Sequence, residues 1–290
     1  MTSIMLTESR SNPVCHLMSM RPETMQPLSA SQSAPSGLPL SAEDIAGYRQ
    51  DGIIVPKNGL TTEQVAELQK KLDDFLAAQN ITDADYVPDI IERDPSWLDY
   101  AVMPQILDAV AQLIGDDIIV WGSALFCKAG KGGRATPWHQ DGHYWPIRPL
   151  ETVTAWIAID DVNIENSCLR VIPGSHRDRV SYSHDTDNSD AIVLNQVLKP
   201  EHLQSAPARD IELAPGKFSI HDVYLIHGAN PNNSGKRRAG MVFRYMPASS
   251  YFDRELAAQQ VRDMGVLDLS RRKLFQVRGI DRSGTNDLHR

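Results

Sequence analysis

Asp116-Asp117-Ile118-Ile119-Val120-Trp121-Gly122-Ser123-Ala124-Leu125-Phe126 marks a change in the texture of the chain. A run rich in β-branched and aromatic residues follows an acidic turn at Gly115–Asp117 and leads into a Gly-rich stretch at 130–133. Such a run suits a pleated, buried strand. Five more follow, at Thr152–Ile159, Cys168–Ile172, Ala191–Val197, Lys217–Ile226 and Gly240–Tyr245, each bounded by Gly, Pro or Asn clusters. No helix-length segment separates the central runs, so the pattern predicts a sandwich or barrel of short strands and excludes βαβ units.

Outward from this core the signals are helical. Ser41 can cap a helix running through Ile45 and Tyr48 to Gly52. Thr61 and Gln64 form a capping box ahead of Val65, Leu68, Leu72, Phe75 and Leu76. A third amphipathic stretch runs from about Ser96 to Ile114, and residues from about 251 to 275 return to helical spacing. Residues 1–38, rich in Ser, Pro and Met without apolar period, read as a flexible leader. Residues 39–290 read as one mainly β domain with flanking helices: a helical part at about 41–115, a core at about 116–247 and a C-terminal helical segment. No internal repeat is present, which excludes propellers and solenoids.

The 290 residues include 29 Lys and Arg against 37 Asp and Glu, a formal charge of -8, so a phosphate backbone would repel the chain and nucleic acid is excluded as a partner. No 18-residue apolar run and no signal-type N-terminus occur, which predicts a cytoplasmic chain without a membrane span. Cys15, Cys127 and Cys168 are odd in number and lack C-x-x-C spacing, so they read as reduced thiols.

The chemistry concentrates in two places. In Trp138-His139-Gln140-Asp141-Gly142, an extended chain puts His139 and Asp141 on one face and Gln140 on the other. Gly142 argues against a helix there, and His143 would then stand roughly 13 Å from His139. Ile220–His227 reads as a strand with His221, Val223, Leu225 and His227 on one face, followed by the turn cluster Gly228–Gly235. A hairpin folded about Asn232 and Asn233 places His227 opposite Arg238. Two histidines and a carboxylate form the facial triad that suits Fe(II) and leaves positions open. A 2-oxoacid and dioxygen can fill them, and Arg238 can clamp the far carboxylate of a dicarboxylic 2-oxoacid through two charge-assisted hydrogen bonds.

These residues resemble the phytanoyl-CoA dioxygenase family of Fe(II)- and 2-oxoglutarate-dependent oxygenases. The resemblance rests on His139-Gln140-Asp141-Gly142-His143-Tyr144-Trp145-Pro146-Ile147-Arg148-Pro149, on Ala155-Trp156-Ile157-Ala158, on Asn166–His176, and on His227-Gly228 through Arg238. It implies a double-stranded β-helix, a cupin-like jelly-roll barrel, with Fe(II) on His139, Asp141 and His227, 2-oxoglutarate on Arg238, and Trp156 lining the cosubstrate pocket. It also implies O2 as co-reactant and hydroxylation of a small metabolite as the default outcome. The family's usual Asn-Gly-Cys-Leu stands here as Asn166-Ser167-Cys168-Leu169. Halogenating relatives replace the carboxylate ligand with a small residue; this chain keeps Asp141.

Other polar residues carry plainer readings. His221, six residues from His227 and roughly 20 Å away along a strand, reads as a satisfied barrel histidine. His176 reads as a surface residue or a support for the site, and Arg237 as the outward neighbour of Arg238. Lys128, Lys131 and Arg134 read as a solvated loop or as attraction for an acidic substrate. His143, Tyr144 and Trp145 form either a substrate-pocket wall or a packed barrel rim. Two rival functions share the ligands: a non-redox cupin-like hydrolase or isomerase, and a non-catalytic iron or 2-oxoglutarate sensor. A homodimer through the terminal helix or the loop between Ile172 and Ile192 is a further expectation.

Overall fold

A computed structural model describes residues 39–203 and 207–289; the expected leader at 1–38, with Cys15, lies outside them. The N-terminal part runs α1 (Ala42–Asp51), β1 (Ile53–Ile54), α2 (Thr62–Ala78), β2 (Val87–Pro88), α3 (Ile90–Arg93), α4 (Leu98–Ala101) and α5 (Pro104–Ile114). Thr61 and Gln64 make the expected capping box, Ser41 caps α1 as expected and completes a further box with Asp44, and Gly52 ends α1 in the left-handed conformation. The expected helix from Ser96 is broken, because Pro104 opens α5 and a short 3-10 turn at Pro95–Trp97 leads into α4.

The central part comprises β3 (Ile118–Lys128), β4 (Thr136–His139), β5 (Ile147–Arg148), β6 (Val153–Ala158), β7 (Leu169–Val171), β8 (His184–Thr186), β9 (Gln196–Leu198), β10 (Arg209–Ile211), β11 (Phe218–Asp222), β12 (His227–Ala229) and β13 (Arg238–Pro247). It is followed by β14 (Tyr251–Phe252), α6 (Arg254–Met264) and β15 (Phe275–Arg278). The C-terminal helical pattern thus holds only through α6. The strand expected at Ala191–Val197 forms only as β9.

Two antiparallel sheets make the jelly roll. The larger has the order β1-β11-β6-β13-β3-β15, with β2 also on β3; the smaller has the order β10-β7-β12-β4. Among the described residues no ladder joins the two, so the barrel stays open. The helices cover the outer face of the larger sheet: Leu68, Leu72, Trp97, Ile106 and Val110 pack with Val120, Ile157, Phe218 and Phe243. The smaller sheet covers the inner face through Val171 and Ile211, joined by Leu225 of the segment leading into β12, against Ala124, Trp156 and Val242.

Strand periodicity divides these roles. On β6, Val153, Ala155 and Ile157 face the helices, leaving Thr154 and Trp156 on the inner face; on β11, Phe218 and Ile220 alternate with Ser219 and His221. On β13, Met241, Phe243 and Tyr245 join the outer core, while Arg238, Val242 and Arg244 line the cavity between the sheets.

Two expectations about connectivity fail. Ile220–His227 is not one strand: β11 ends at Asp222, whose side chain accepts from the Tyr224 amide (2.9 Å), and the chain crosses to the smaller sheet before β12. Nor do β12 and β13 form a hairpin. β12 pairs with β4 and β7, and Arg238 of β13 lies across from Lys128 of β3. The turn at 230–237 therefore links opposite sheets.

Candidate active site

The crossings bring the ligand candidates together. His139 ends β4 directly across from His227 of β12, and Asp141 follows in a 3-10 turn, Asp141–His143. The expected single strand through His139 and Asp141 is thus a strand end plus a turn, in which the Gly142 amide donates to Val223 O (3.1 Å). One ligand atom from each of His139, Asp141 and His227 lies within 4.8 Å of the others. His139 Nε2 is 3.7 Å and His227 Nε2 4.0 Å from Asp141 Oδ1. All three residues are buried.

Hydrogen bonds set which atoms face the gap. His139 Nδ1 lies 2.8 Å from Pro137 O and His227 Nδ1 2.9 Å from Leu225 O. A carbonyl can only accept, so both Nδ1 atoms carry the proton and both Nε2 atoms present lone pairs, the tautomer a metal requires. Asp141 Oδ2 accepts from Thr154 Oγ1 (3.1 Å) and His221 Nε2 (3.4 Å), which leaves Oδ1 for the gap. Burial alone would raise the Asp141 carboxyl, but His139, His221, His227 and Arg244 outweigh it and hold it well below its ordinary range. Burial and the neighbouring His139 likewise hold His227 well below the usual imidazole range.

His221 corrects the reading from strand spacing. Because the chain turns after Asp222, its ring centroid is 4.6 Å from that of His227 instead of roughly 20 Å, and it supports the Asp141 carboxylate. Gln140, between the two ligands, points away as expected. Its amide Nε2 donates to Val180 O (3.0 Å) and Tyr224 O (2.7 Å), and its Oε1 accepts from Tyr182 N (2.8 Å). The backbone N–H of Gln140 donates to His184 Nε2 (3.0 Å), whose ring stacks on His143 at 4.1 Å. Sequence reading missed His184, since no spacing signal ties it to the ligands His139 and Asp141, more than 40 residues earlier.

The cavity between the sheets has a volume of about 570 Å³, including the part open to solvent. Tyr144 and Trp156 line it, whereas His143 stacks outside and Trp145 is buried against Trp121. Arg238 enters the same cavity, only 2% exposed, with Cζ 5.5 Å from the Trp156 ring. Its sole hydrogen bond goes from Nη1 to Phe126 O (3.4 Å), its Nε has no partner, and it pairs with no carboxylate among the described residues. Burial pulls its pKa down to about 10. Arg237 points outward to Asp160 and Asp73.

Lys128 is not a solvated residue: it is fully buried on β3 and donates to Ser167 Oγ (3.0 Å) and Asn230 O (2.8 Å). Burial, then Arg238 beside it, lowers its pKa to about 6. Arg134 is held by Asp83 and Asp85.

A jelly roll enclosing two imidazoles, one carboxylate and an uncompensated guanidinium defines the class of iron- and 2-oxoglutarate-dependent dioxygenases. The phytanoyl-CoA dioxygenase family matches residues 48–240. The bovine peroxisomal phytanoyl-CoA dioxygenase is 25% identical over 260 residues, covering 81% of this chain and 77% of its own. The ectoine dioxygenase of Sphingopyxis alaskensis is 26% identical over 251 residues, covering 77% and 81%. Among solved structures, the non-haem monooxygenase ThoJ aligns with a TM-score of 0.64 at 24% identity, over 85% of this chain and 87% of its own. The 2-oxoglutarate-dependent carbocyclase SnoK aligns with a TM-score of 0.62 at 24% identity, over 74% and 87%. The chain belongs to the phytanoyl-CoA dioxygenase family. No described helix is long and apolar enough to cross a membrane.

Proposed function

We propose that this enzyme oxidises an unactivated C–H bond of a small-molecule metabolite, in the simplest case by hydroxylation, within specialised metabolism, releasing succinate and CO2 from 2-oxoglutarate. His139 Nε2, Asp141 Oδ1 and His227 Nε2 hold Fe(II), and Arg238 holds the distal carboxylate of the cosubstrate. One observation carries the reading: a buried guanidinium without a counter-ion shares a cavity with three converging ligand atoms. Burying a cation unpaired costs several kcal/mol unless a ligand completes it. A non-redox metalloenzyme has no use for that clamp.

Bound Fe(II) and 2-oxoglutarate supply the oxidising power that no side chain has. The protein supplies orientation. Backbone carbonyls fix both ligand imidazoles, while Thr154 and His221 hold Asp141 so that one oxygen faces the metal. Trp156 lies against the Arg238 guanidinium and fixes its plane. Phe126, Leu169 and Val242 give the cavity an apolar wall that excludes water from the reacting centre.

The test is anaerobic Fe(II) titration with and without 2-oxoglutarate, following the weak visible charge-transfer band of the ternary complex. The band is expected in wild type, absent in Asp141→Ala, and shifted to at least about tenfold higher cosubstrate in Arg238→Ala, as the loss of charge-assisted hydrogen bonds requires. Tight Zn(II) or Mn(II) binding with no band in wild type would replace this reading with a non-redox one.

A further inference from the structure

We propose that Arg244 recognises a carboxylate on the substrate, so that this enzyme acts on small acids with an apolar body. The proposal rests on the iron and cosubstrate assignments above. Arg244 lies on the inner face of β13, six residues and roughly 20 Å along the strand from Arg238. Its cross-strand partners are Thr154 of β6 and Gly122 of β3. Thr154 donates to Asp141, so the Arg244 backbone stands one strand away from the metal cluster.

Arg244 is 7% exposed and lines the cavity, yet it makes no hydrogen bond or ion pair with any described residue, and its Nε is buried without a partner. Its neighbour Arg272 is paired with Asp89. The missing side chain at Gly122 makes room for both: a Cβ there would stand 3.3 Å from Arg244 Cδ and 3.1 Å from Arg272 Nη1. Trp145 and Trp121, 5.1 and 5.9 Å from Arg244 Cζ, fix the plane of the guanidinium. Stacking leaves its in-plane donors unmet, and buried donors in proteins almost always find an acceptor.

Charge accounting points the same way. The iron dication, the Asp141 carboxylate, the dianionic cosubstrate and the Arg238 cation cancel one another. Arg244 is left as the cavity's uncompensated charge among the described residues. A single planar fork matches a carboxylate. A phosphate dianion would call for a second cation or a nest of amides, whereas the wall adds Phe126, Leu169, Leu194 and Val242 with only neutral polar groups such as Thr136 and Tyr144. A cleft lined by Tyr86, Val193, Val266 and Leu267 shares His139, Tyr144 and Leu194 with the cavity. It offers an apolar entrance for the remainder of the substrate.

The experiment follows tryptophan fluorescence of the chain loaded with Mn(II) and saturating 2-oxoglutarate. Octanoate and 3-phenylpropanoate are each titrated against the matching primary amide. Each acid is expected to bind at least about tenfold tighter than its amide, the size of a charge-assisted hydrogen bond. That ratio should fall to about one in Arg244→Gln, sit between in Arg244→Lys, and persist in Arg237→Gln, whose side chain points outward to Asp160 and Asp73. Thermal unfolding checks that the variants fold, and the wild-type ratio needs no variant. Equal binding of acids and amides in wild type overturns the proposal. So does an acid preference that survives Arg244→Gln, displacement of the acids by 2-oxoglutarate, or tighter binding of octylphosphonate. If wild type binds neither Mn(II) nor 2-oxoglutarate, the iron and cosubstrate assignment fails instead, and the same titration on the metal-free chain still decides the role of Arg244.

Discussion

Gly240→Ala tests whether Trp156 holds Arg238 in place without altering either residue. A Cβ built on Gly240 stands 2.2 Å from Cζ2 and 2.4 Å from Cη2 of Trp156. Carbon atoms sit comfortably at about 3.5 Å or more, so the edge of the indole must move by ~1.3 Å. Gly240 is not in the left-handed region, which means that the substitution adds bulk and no backbone strain. Trp156 is packed among Ala124, Val242 and Leu213, so it cannot retreat freely. Overpacking of this kind costs about 1–3 kcal/mol, a fall in Tm on the order of 5 °C.

The functional consequence follows from the 5.5 Å stacking of Arg238 Cζ on that ring. A displaced indole moves or frees the guanidinium, and weakening one charge-assisted hydrogen bond raises the 2-oxoglutarate requirement by about tenfold. Fe(II) affinity should change by less than about twofold. The assay is the anaerobic charge-transfer titration, run beside thermal unfolding. Gly235→Ala is the control, because nothing lies within 4 Å of its added carbon. A Gly240→Ala protein that loses stability but keeps wild-type cosubstrate affinity would refute the coupling of Trp156 to Arg238.

Three other outcomes are expected. Ser167 has φ 78°, a left-handed conformation that costs a non-glycine residue about 1 kcal/mol, but its hydroxyl accepts from Lys128. Ser167→Gly should therefore leave Tm within a few degrees while lowering the Lys128 pKa further, measurable by NMR of the labelled lysine. Lys128, at about 6 when folded, is mostly neutral at pH 7.5. Cosubstrate binding offsets the Arg238 charge and should draw up a fraction of a proton, seen as a buffer-dependent calorimetric heat that Lys128→Met abolishes. His184 has its pKa pulled down to about 3, by burial first and His143 second, so between pH 6.5 and about 3 the unfolded chain binds a proton that the folded one refuses. Stability contributed by His184 is present above pH 6.5 and lost as pH falls through that window. His184→Gln should flatten the urea-midpoint profile there without levelling it, because His143 and His176 shift the same way.

The chemistry was more legible than the path of the chain. Alternation along β13 separates Arg237 from Arg238 but does not say which faces inward; that choice rested on a hairpin that does not form and, like the placement of Trp156, on the family resemblance, and both side chains do line the cavity. The H-x-D spacing survives even though Asp141 leaves the strand, because one residue of strand end and one of turn still bring both side chains to the gap. What failed was where strands change sheet. Ile220–His227 contains no Gly or Pro to break a strand, and only the Asp222 side chain, turned back on the Tyr224 amide, reveals the crossing. Asx turns of this kind look like any other Asp in a strand until the backbone N–H that donates to the carboxylate is seen.

That crossing also decides how much of the site a sequence can disclose. In a continuous strand His221 would face the same side as His227 from a distance; after the crossing, the two rings approach from facing sheets and close on one carboxylate. The same geometry explains Arg244. Its charge has no meaning along β13, where it is one more arginine, and acquires one only when the smaller sheet brings the metal cluster over Thr154, across from it. Residues that gain their roles across sheets leave no periodic signature, and for this reason the ligands could be found by spacing whereas His184, His221 and Arg244 could not.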